Sequence, residues 1–214
     1  MIATYRSNEQ EANLLKDSLI LYGDHFQLAK FDVSKWKDVC EFFNFLEKNW
    51  GGLDILVNNS GIRKDNIVPN MSEEDWDQVL DTNLKGAFLM SKLAVPLMMR
   101  ERFGRIIMMS SVGGKLSLPG QGNYAASKAG LLAFAKGLSK EVAKKNITVN
   151  SICPGFIETE LINDLSPEQR KEYLQDVPMK RFGKVSEVSA AVEFLASDEA
   201  SYITGSEITI SGGL

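Results

Sequence analysis

Residues 105–128, RIIMMSSVGGKLSLPGQGNYAASK, decide the fold of this chain. The run 105–109 is short and apolar, which is typical of a buried β-strand, and two serines follow it. After a loop, Tyr124 begins a segment rich in Ala and Leu that predicts a long helix to about Lys145. A further apolar run at 147–152 completes a strand–helix–strand unit, which predicts two neighbouring parallel strands.

The same alternation extends over the whole chain. Short apolar runs predict strands at 2–5, 27–31, 54–57 and 207–210, and segments of helical period predict helices at 8–21, after 34, at 72–99, from 166 and at 185–196. Ser34 is expected to cap the second helix, and Pro96 to bend or end the third. The sequence therefore predicts an α/β fold with a doubly wound parallel sheet of the Rossmann type, in one domain over residues 1–214.

Composition and charge narrow the class of protein. The chain has 214 residues, of which 44% are hydrophobic and 24% charged, and this is the profile of a globular domain. A net charge of -4 gives no general affinity for nucleic acid or an anionic membrane. No membrane-spanning run or signal segment is present, and the separated Cys40 and Cys153 indicate free thiols in a reducing cytoplasm. With the single His25, a His-rich metal site is excluded and no metal is expected.

Polar and small residues follow four of the predicted strands. In parallel α/β sheets, ligands bind beyond the carboxyl ends of the strands, so these residues predict a binding crevice. A role in the core would not need small polar residues at one structural level. The segments are Asp32-Val33, Asn58-Asn59-Ser60-Gly61, Ser110-Ser111 and Pro154-Gly155-Phe156-Ile157-Glu158-Thr159.

Tyr124 and Lys128 have the spacing of residues that share one face of a helix. A lysine ammonium near a phenol favours the phenolate, and a tyrosine so tuned can act as an acid or a base. Ser111 ends the preceding strand and could donate a hydrogen bond to a substrate oxygen. Taken alone, the Tyr–Lys pair fits better with an amphipathic helix whose lysine extends its charged end into solvent.

The ordered set of segments resembles the short-chain dehydrogenase/reductase family over essentially the whole chain. Asn58-Asn59-Ser60-Gly61 is similar to the family's Asn-Asn-Ala-Gly segment, with Ser60 in place of Ala. The other matching positions follow at the family's spacing and are Asn83, Ser111, Tyr124-Ala125-Ala126-Ser127-Lys128 and Pro154-Gly155.

This resemblance implies a catalytic set of Asn83, Ser111, Tyr124 and Lys128. Tyr124 would donate a proton to a carbonyl oxygen that Ser111 positions, Lys128 would assist the tyrosine and bind the nicotinamide ribose, and Asn83 would connect Lys128 to solvent through a water. It also implies that Asp32 and Val33 contact the adenine and Asn59, Ser60 and Gly61 the adjoining ribose. Around the nicotinamide end it places Pro154, Gly155, Ile157 and Thr159. The plainer reading, that Asp32 only approaches a helix and Pro154-Gly155 only turns the chain, remains open.

The choice between NAD(H) and NADP(H) depends on the residues that follow the first predicted strand, 2–5. NAD-binding proteins usually carry an acid there, whereas NADP-binding proteins use a nearby arginine for the 2′-phosphate. Here Arg6 follows the strand and no acid occurs before Glu9, which favours NADP(H) over NAD(H). The family's Gly-x-x-x-Gly-x-Gly turn, with the strand before it and the helix after it, has no counterpart in this sequence. We therefore expect a domain that is incomplete at its amino end.

Within the family, the sequence is most similar to the bacterial 3-oxoacyl-[acyl-carrier-protein] reductases. That similarity implies NADPH-dependent reduction of a 3-oxoacyl thioester in fatty acid synthesis, docking of acyl carrier protein at Arg102 and Lys145, and a homotetramer. The apolar face of the Tyr124 helix and the C-terminal segment are expected to form the interfaces of the tetramer. The helix has five apolar residues, too many for one buried stripe, namely Leu131, Leu132, Phe134, Leu138 and Val142. Two alternatives remain: a dehydrogenase of another alcohol, sugar or steroid, and a non-catalytic structural partner.

Overall fold

A computed structural model describes residues 1–159 and 166–214 and arranges their strands in two parallel sheets. The larger sheet has the order β3-β4-β5-β6, formed by Ile55–Asn58, Gly104–Met109, Ile147–Pro154 and Glu207–Ile210. The smaller sheet pairs β1, Ile2–Tyr5, with β2, Gln27–Lys30. The predicted α/β fold with parallel strands is confirmed.

The two sheets are not joined by ladder hydrogen bonds within the described ranges. Thr4 of β1 and Val57 of β3 nevertheless line the same narrow cleft of about 30 Å³, together with Val33 and Ser60. The facing edges of β1 and β3 are thus the place where the sheet is interrupted. An unpaired strand edge presents free backbone N–H and C=O groups.

Most helices have nearly the predicted bounds, but the helix predicted at 72–99 is divided in two by a π-helical turn, Asp81–Lys85. The helices are α1 (Glu9–Ser18), α2 (Trp36–Trp50), α3 (Glu73–Leu80), α4 (Gly86–Glu101), α5 (Gly122–Val142), α6 (Pro167–Asp176) and α7 (Val185–Ala196). Ser72 caps α3 by accepting a hydrogen bond from the backbone of Asp75 at 3.0 Å. No described helix is long and apolar enough to cross a membrane.

The expected helix cap at Ser34 is wrong. The residue before α2 is Lys35, and no side chain caps that helix end. The hydroxyl of Ser34 instead donates to Asp32 Oδ1 at 2.7 Å, and the Ser34 backbone donates to the same oxygen at 2.9 Å. The carboxylate two residues earlier engages the serine hydroxyl, as in a local turn.

Pro96 does not end the helix, because α4 continues through it to Glu101. A proline removes the hydrogen bond to the carbonyl four residues earlier, which here belongs to Lys92. Lys92 and Pro96 are both exposed, so that carbonyl lies on the solvent side of α4, where water can satisfy it.

The main core lies between the larger sheet and helices α2, α4 and α5. On α2, the buried face comprises Val39, Phe42, Phe43 and Leu46. Cys40 on the same helix is only half-buried. The interface expected from the apolar residues of α5 is wrong for most of them, because Leu131, Leu132, Leu138 and Val142 are buried within the chain itself.

Candidate active site

Strand register brings the predicted chemical segments to one edge of the larger sheet. Asn58 pairs with Met108, and Met109 with Ile152, so the carboxyl ends of β3, β4 and β5 lie side by side. Beyond them is a cavity of about 530 Å³. Its lining includes the predicted residues Ser111, Tyr124, Lys128, Asn59, Gly61, Pro154, Gly155, Ile157 and Thr159.

Tyr124 and Lys128 lie one turn apart on α5. The ammonium of Lys128 is 5.6 Å from the centre of the Tyr124 ring and donates a hydrogen bond to the Met109 carbonyl at 2.7 Å. Lys128 is only 5% exposed, and this burial lowers its pKa to about 8. Near neutral pH the group is still largely charged and lies close to the tyrosine ring.

Ser111 is fixed by the turn after β4. Its Oγ accepts a hydrogen bond from the Gly113 backbone at 3.0 Å, so its own proton remains available for another acceptor. A methyl group at Gly113 would come within 3.3 Å of both the Ser111 Oγ and the Tyr124 ring. The missing side chain at Gly113 therefore allows serine and tyrosine to approach each other. Sequence reasoning missed this residue.

Asn83 is almost fully buried and connects three parts of the site. It lies in a π-helical turn, Asp81–Lys85, between α3 and α4. Its Oδ1 accepts from the Ile62 backbone at 2.8 Å, and its Nδ2 donates to the Ile62 carbonyl and to the Ser127 Oγ, both at 3.0 Å. A methyl group at Gly61 would lie 3.4 Å from the Lys128 ammonium and 3.5 Å from Asn83 Oδ1. The space kept open by Gly61 is therefore shared by both polar groups.

The remaining predicted cofactor residues surround two neighbouring cavities. Arg6 and Asp32 line an open cavity of about 730 Å³ with Ser34 and Lys35, whereas Val33 and Ser60 line the narrow cleft between the sheets. Burial opposes ionisation of Asp32, but hydrogen bonds from Ser34 and the charges of Arg6 and Lys35 outweigh it and lower the pKa of Asp32. Asp32 is thus held as an anion next to two cations.

The residues at the carboxyl edge of the sheet fit the nicotinamide end of such a cofactor more completely than its pyrophosphate. The cavity beside Tyr124 is bordered by Gly61 and Gly155, whose lack of side chains permits close approach of a ligand to the backbone. By contrast, the sequence has no glycine-rich turn between a strand and a helix to hold a pyrophosphate. Gly120 and Gly122 imitate part of that pattern, but they lie in the loop before α5 and at its first residue.

The structure separates the expected docking pair from the catalytic edge. Arg102 lies just after α4 and donates to the Lys144 carbonyl at 3.4 Å, which brings it close to Lys145. Both residues immediately precede strands, β4 and β5, so they lie at the amino edge of the sheet. Tyr124 and its partners lie at the opposite, carboxyl edge.

A parallel α/β sheet whose carboxyl edge joins a serine, a tyrosine and a lysine in one cavity defines a Rossmann-like oxidoreductase. The family model described as Enoyl-(Acyl carrier protein) reductase matches residues 1–214. The chain belongs to the short-chain dehydrogenase/reductase family.

Similar proteins narrow the comparison further. The 3-oxoacyl-[acyl-carrier-protein] reductase FabG of Staphylococcus epidermidis is 39% identical over 210 residues, which cover 98% of this chain and 86% of the relative. The proteins of the same name from Salmonella typhimurium and Escherichia coli are each 43% identical over 208 residues, or 97% of this chain and 84% of theirs. The family predicted from the sequence is confirmed.

Proposed function

We propose that the chain reduces a 3-oxoacyl thioester, held on acyl carrier protein, to the 3-hydroxyacyl form with NADPH, as a step of fatty acid synthesis in the cytoplasm. The names of its relatives support the substrate. The observation that carries the chemistry is the cavity in which Ser111, Tyr124 and Lys128 meet.

In this proposal the side chains orient the ketone and supply its proton. The Ser111 hydroxyl, whose oxygen already accepts from Gly113, donates its own hydrogen bond to the ketone oxygen. Tyr124 then donates a proton to that oxygen, and Lys128 stabilises the phenolate that remains. When bound, the nicotinamide cofactor supplies the hydride for the carbonyl carbon.

Lys128 has donor capacity for more than one partner. An ammonium has three N–H donors, and the Met109 carbonyl takes one of them at 2.7 Å. The other two are available to the nicotinamide ribose hydroxyls and to the water that Asn83 is proposed to help hold. Gly61 keeps space open beside both Lys128 and Asn83, which supports this arrangement. Pro154, Gly155, Ile157 and Thr159 would hold the nicotinamide end.

The preference for NADP(H) over NAD(H) is proposed to depend on Arg6. Arg6 shares its cavity with Lys35 and Ser34, and a guanidinium can form two parallel hydrogen bonds with a phosphate. Asp32 and Val33 would then contact the adenine, and Asn59, Ser60 and Gly61 the adjoining ribose. Glu73, Glu74, Asp77 and Asp81 also line this cavity, so Arg6 and Lys35 would have to offset their negative charges to hold a phosphate.

The carrier protein is proposed to dock at Arg102 and Lys145, in a homotetramer. Because this pair lies at the sheet edge opposite Tyr124, the substrate arm would have to enter the active site of a neighbouring subunit. Phe88 supports an interface between subunits on α4 and α5, since it is 43% exposed and contacts Phe134 of α5 edge-on at 6.1 Å. Size-exclusion chromatography with light scattering tests the assembly.

The reductase proposal is tested by following NADPH oxidation with an acetoacetyl thioester. The chain should turn over, Tyr124→Phe should lose at least about a hundredfold in kcat, and NADH should substitute poorly. Cofactor fluorescence titration runs in parallel. If the chain binds the cofactor but does not turn over the thioester, the substrate assignment is overturned in favour of a dehydrogenase of an alcohol, sugar or steroid. If the cofactor does not bind, a non-catalytic structural partner is favoured.

A further inference from the structure

A second cation lies beside the catalytic tyrosine. The guanidinium carbon of Arg63 is 5.9 Å from the centre of the Tyr124 ring, nearly the same distance as the Lys128 ammonium. Arg63 belongs to the loop after β3 and borders the cavity that contains Ser111 and Tyr124. The mechanism above does not use it.

The position of Arg63 is fixed by a carboxylate. Its Nη2 pairs with Asp65 Oδ2 and its Nε donates to Asp65 Oδ1 at 3.4 Å. The amide of Gln121 donates to Asp65 Oδ2 at 3.1 Å, and Gln121 is buried at the residue that precedes α5. The residue that leads into α5 therefore holds the carboxylate that pairs with the arginine.

This pairing distinguishes Arg63 from an ordinary surface charge. The hydrogen bonds to Asp65 raise the pKa of Arg63, against a smaller opposing effect of burial. One carboxylate engages Nε and Nη2 of the guanidinium, whose carbon lies 5.9 Å from the centre of the Tyr124 ring. The adjacent Lys64, which is similarly exposed, instead pairs with Asp75 at 3.5 Å, and within the described ranges it makes no cation–π contact with the Tyr124 ring.

A cation within about 6 Å of an aromatic ring is attracted to it, and the attraction increases when the ring becomes a phenolate. We propose that Arg63, oriented by Asp65 and Gln121, is a positioning residue that favours the phenolate form of Tyr124 together with Lys128. The inference rests on the proposed function of Tyr124 as the proton donor. Under this proposal, the charge of Arg63 favours ionisation of Tyr124 and the charge of Asp65 opposes it.

The test is an ultraviolet titration of tyrosine ionisation in the cofactor-free chain, with the spectrum of Tyr124→Phe subtracted to isolate Tyr124. Arg63→Gln should move the ionisation midpoint of Tyr124 upward by about 0.5–1 pH unit. Asp65→Asn should move it downward, because the arginine charge is then uncompensated. Arg63→Lys should restore most of the original midpoint, and Lys64→Gln, the matched control, should leave it unchanged.

Opposite shifts in Arg63→Gln and Asp65→Asn cannot come from a loosened loop, which would move both midpoints the same way. Equal midpoints in all four variants, or shifts of one sign in Arg63→Gln and Asp65→Asn, overturn the inference. If Arg63→Gln does not fold, Arg63→Lys and Asp65→Asn still decide the sign. Because the titration needs neither substrate nor cofactor, failure of the thioester assay would contradict the proposed function without removing this result.

Discussion

The ammonium of Lys128 lies 2.7 Å from the main-chain carbonyl of Met109, at the last residue of β4. One buried charge is thus held by one backbone dipole and lies close to the ring of Tyr124. Burying an ammonium costs stability, and a single carbonyl offsets only part of that cost. Keeping this charge buried in the site therefore lowers the free energy of unfolding.

Lys128→Met should make the protein more stable while it loses activity. The folded state lowers the pKa of Lys128 to about 8, below the value of 10.5 for an unburied lysine. The unfolded chain therefore binds the proton more tightly, and the penalty is complete below about pH 8. Allowing for the lost hydrogen bond, we expect a gain of about 1–2 kcal/mol near pH 7.

The stability difference between Lys128→Met and the unmodified chain should depend on pH. Stability of the unmodified chain should rise between pH 8 and 10.5 as folded Lys128 loses its proton, so the advantage of the variant should disappear there. Urea unfolding at several pH values measures it, with Lys136→Met, an exposed position on the same helix, as control. A variant less stable than its parent at pH 7 would contradict the argument.

Asn83→Ala should destabilise the site and the fold together. The buried amide makes three hydrogen bonds, two to the Ile62 backbone and one to Ser127, and its removal leaves the half-buried Ile62 N–H and C=O without these partners. We expect a loss of about 2–4 kcal/mol in denaturant unfolding. Asn49→Ala is the control, because Asn49 makes one exposed hydrogen bond to Phe45 and should cost less than about 1 kcal/mol.

Two glycine substitutions should have opposite effects. A methyl group at Gly155 would lie 2.9 Å from the backbone of Ser211, so Gly155→Ala must displace the segment after β6. A methyl group at exposed Gly137, inside α5, meets nothing within 4 Å. We expect Gly137→Ala to raise the melting temperature through a gain of about 0.5–1 kcal/mol, and Gly155→Ala to lower it and weaken cofactor binding.

Arg6→Ala should change cofactor preference more than turnover. Loss of a guanidinium partner for the 2′-phosphate should raise the KM for NADPH about tenfold or more and leave the KM for NADH nearly unchanged. Steady-state kinetics with both cofactors measure the ratio. Lys16→Ala, an exposed cation on α1 that does not line this cavity, is the control. Equal effects on the two cofactors would show that Arg6 does not select between them.

Charge reversal at Arg102 and Lys145 tests the docking proposal. Activity with a substrate on acyl carrier protein should fall about tenfold or more, whereas activity with a small acetoacetyl thioester should be retained. The distinction follows from geometry, because the pair lies at the amino edge of the sheet, away from Tyr124. Parallel loss with both substrates would indicate damage to the fold rather than to docking.

The sequence predicted the fold and the main cavity because both depend on local order. Strand and helix alternate along the chain, and parallel strands bring the residues that follow them to one edge. Tyr124 and Lys128 could be paired because helical spacing alone places them on one face. The positions of Ser111 and Gly155 follow from the same rule for strand ends.

What the sequence could not give depends on neighbours distant in the chain. The apolar residues of α5 appeared too numerous for one buried stripe, but α5 contacts both the sheet and α4, so Leu131 and Leu138 face the core of their own chain. Arg63 lies beside Tyr124, and its partner Asp65 accepts a hydrogen bond from Gln121, which is 56 residues further along the chain. No periodicity in the sequence predicts such a contact.

The π-helical turn Asp81–Lys85 makes the chain sensitive to the deletion of a single residue between α3 and α4. Such a turn contains one residue more than regular α-helix, and here it carries Asn83 to the Ile62 backbone. Deleting one residue would restore regular helical spacing but rotate α3 by about 100° relative to α4. The shorter helix would be the more regular one, yet it would separate the amide from its loop. In evolution, selection for function and selection for a simpler helix would therefore oppose each other at this turn.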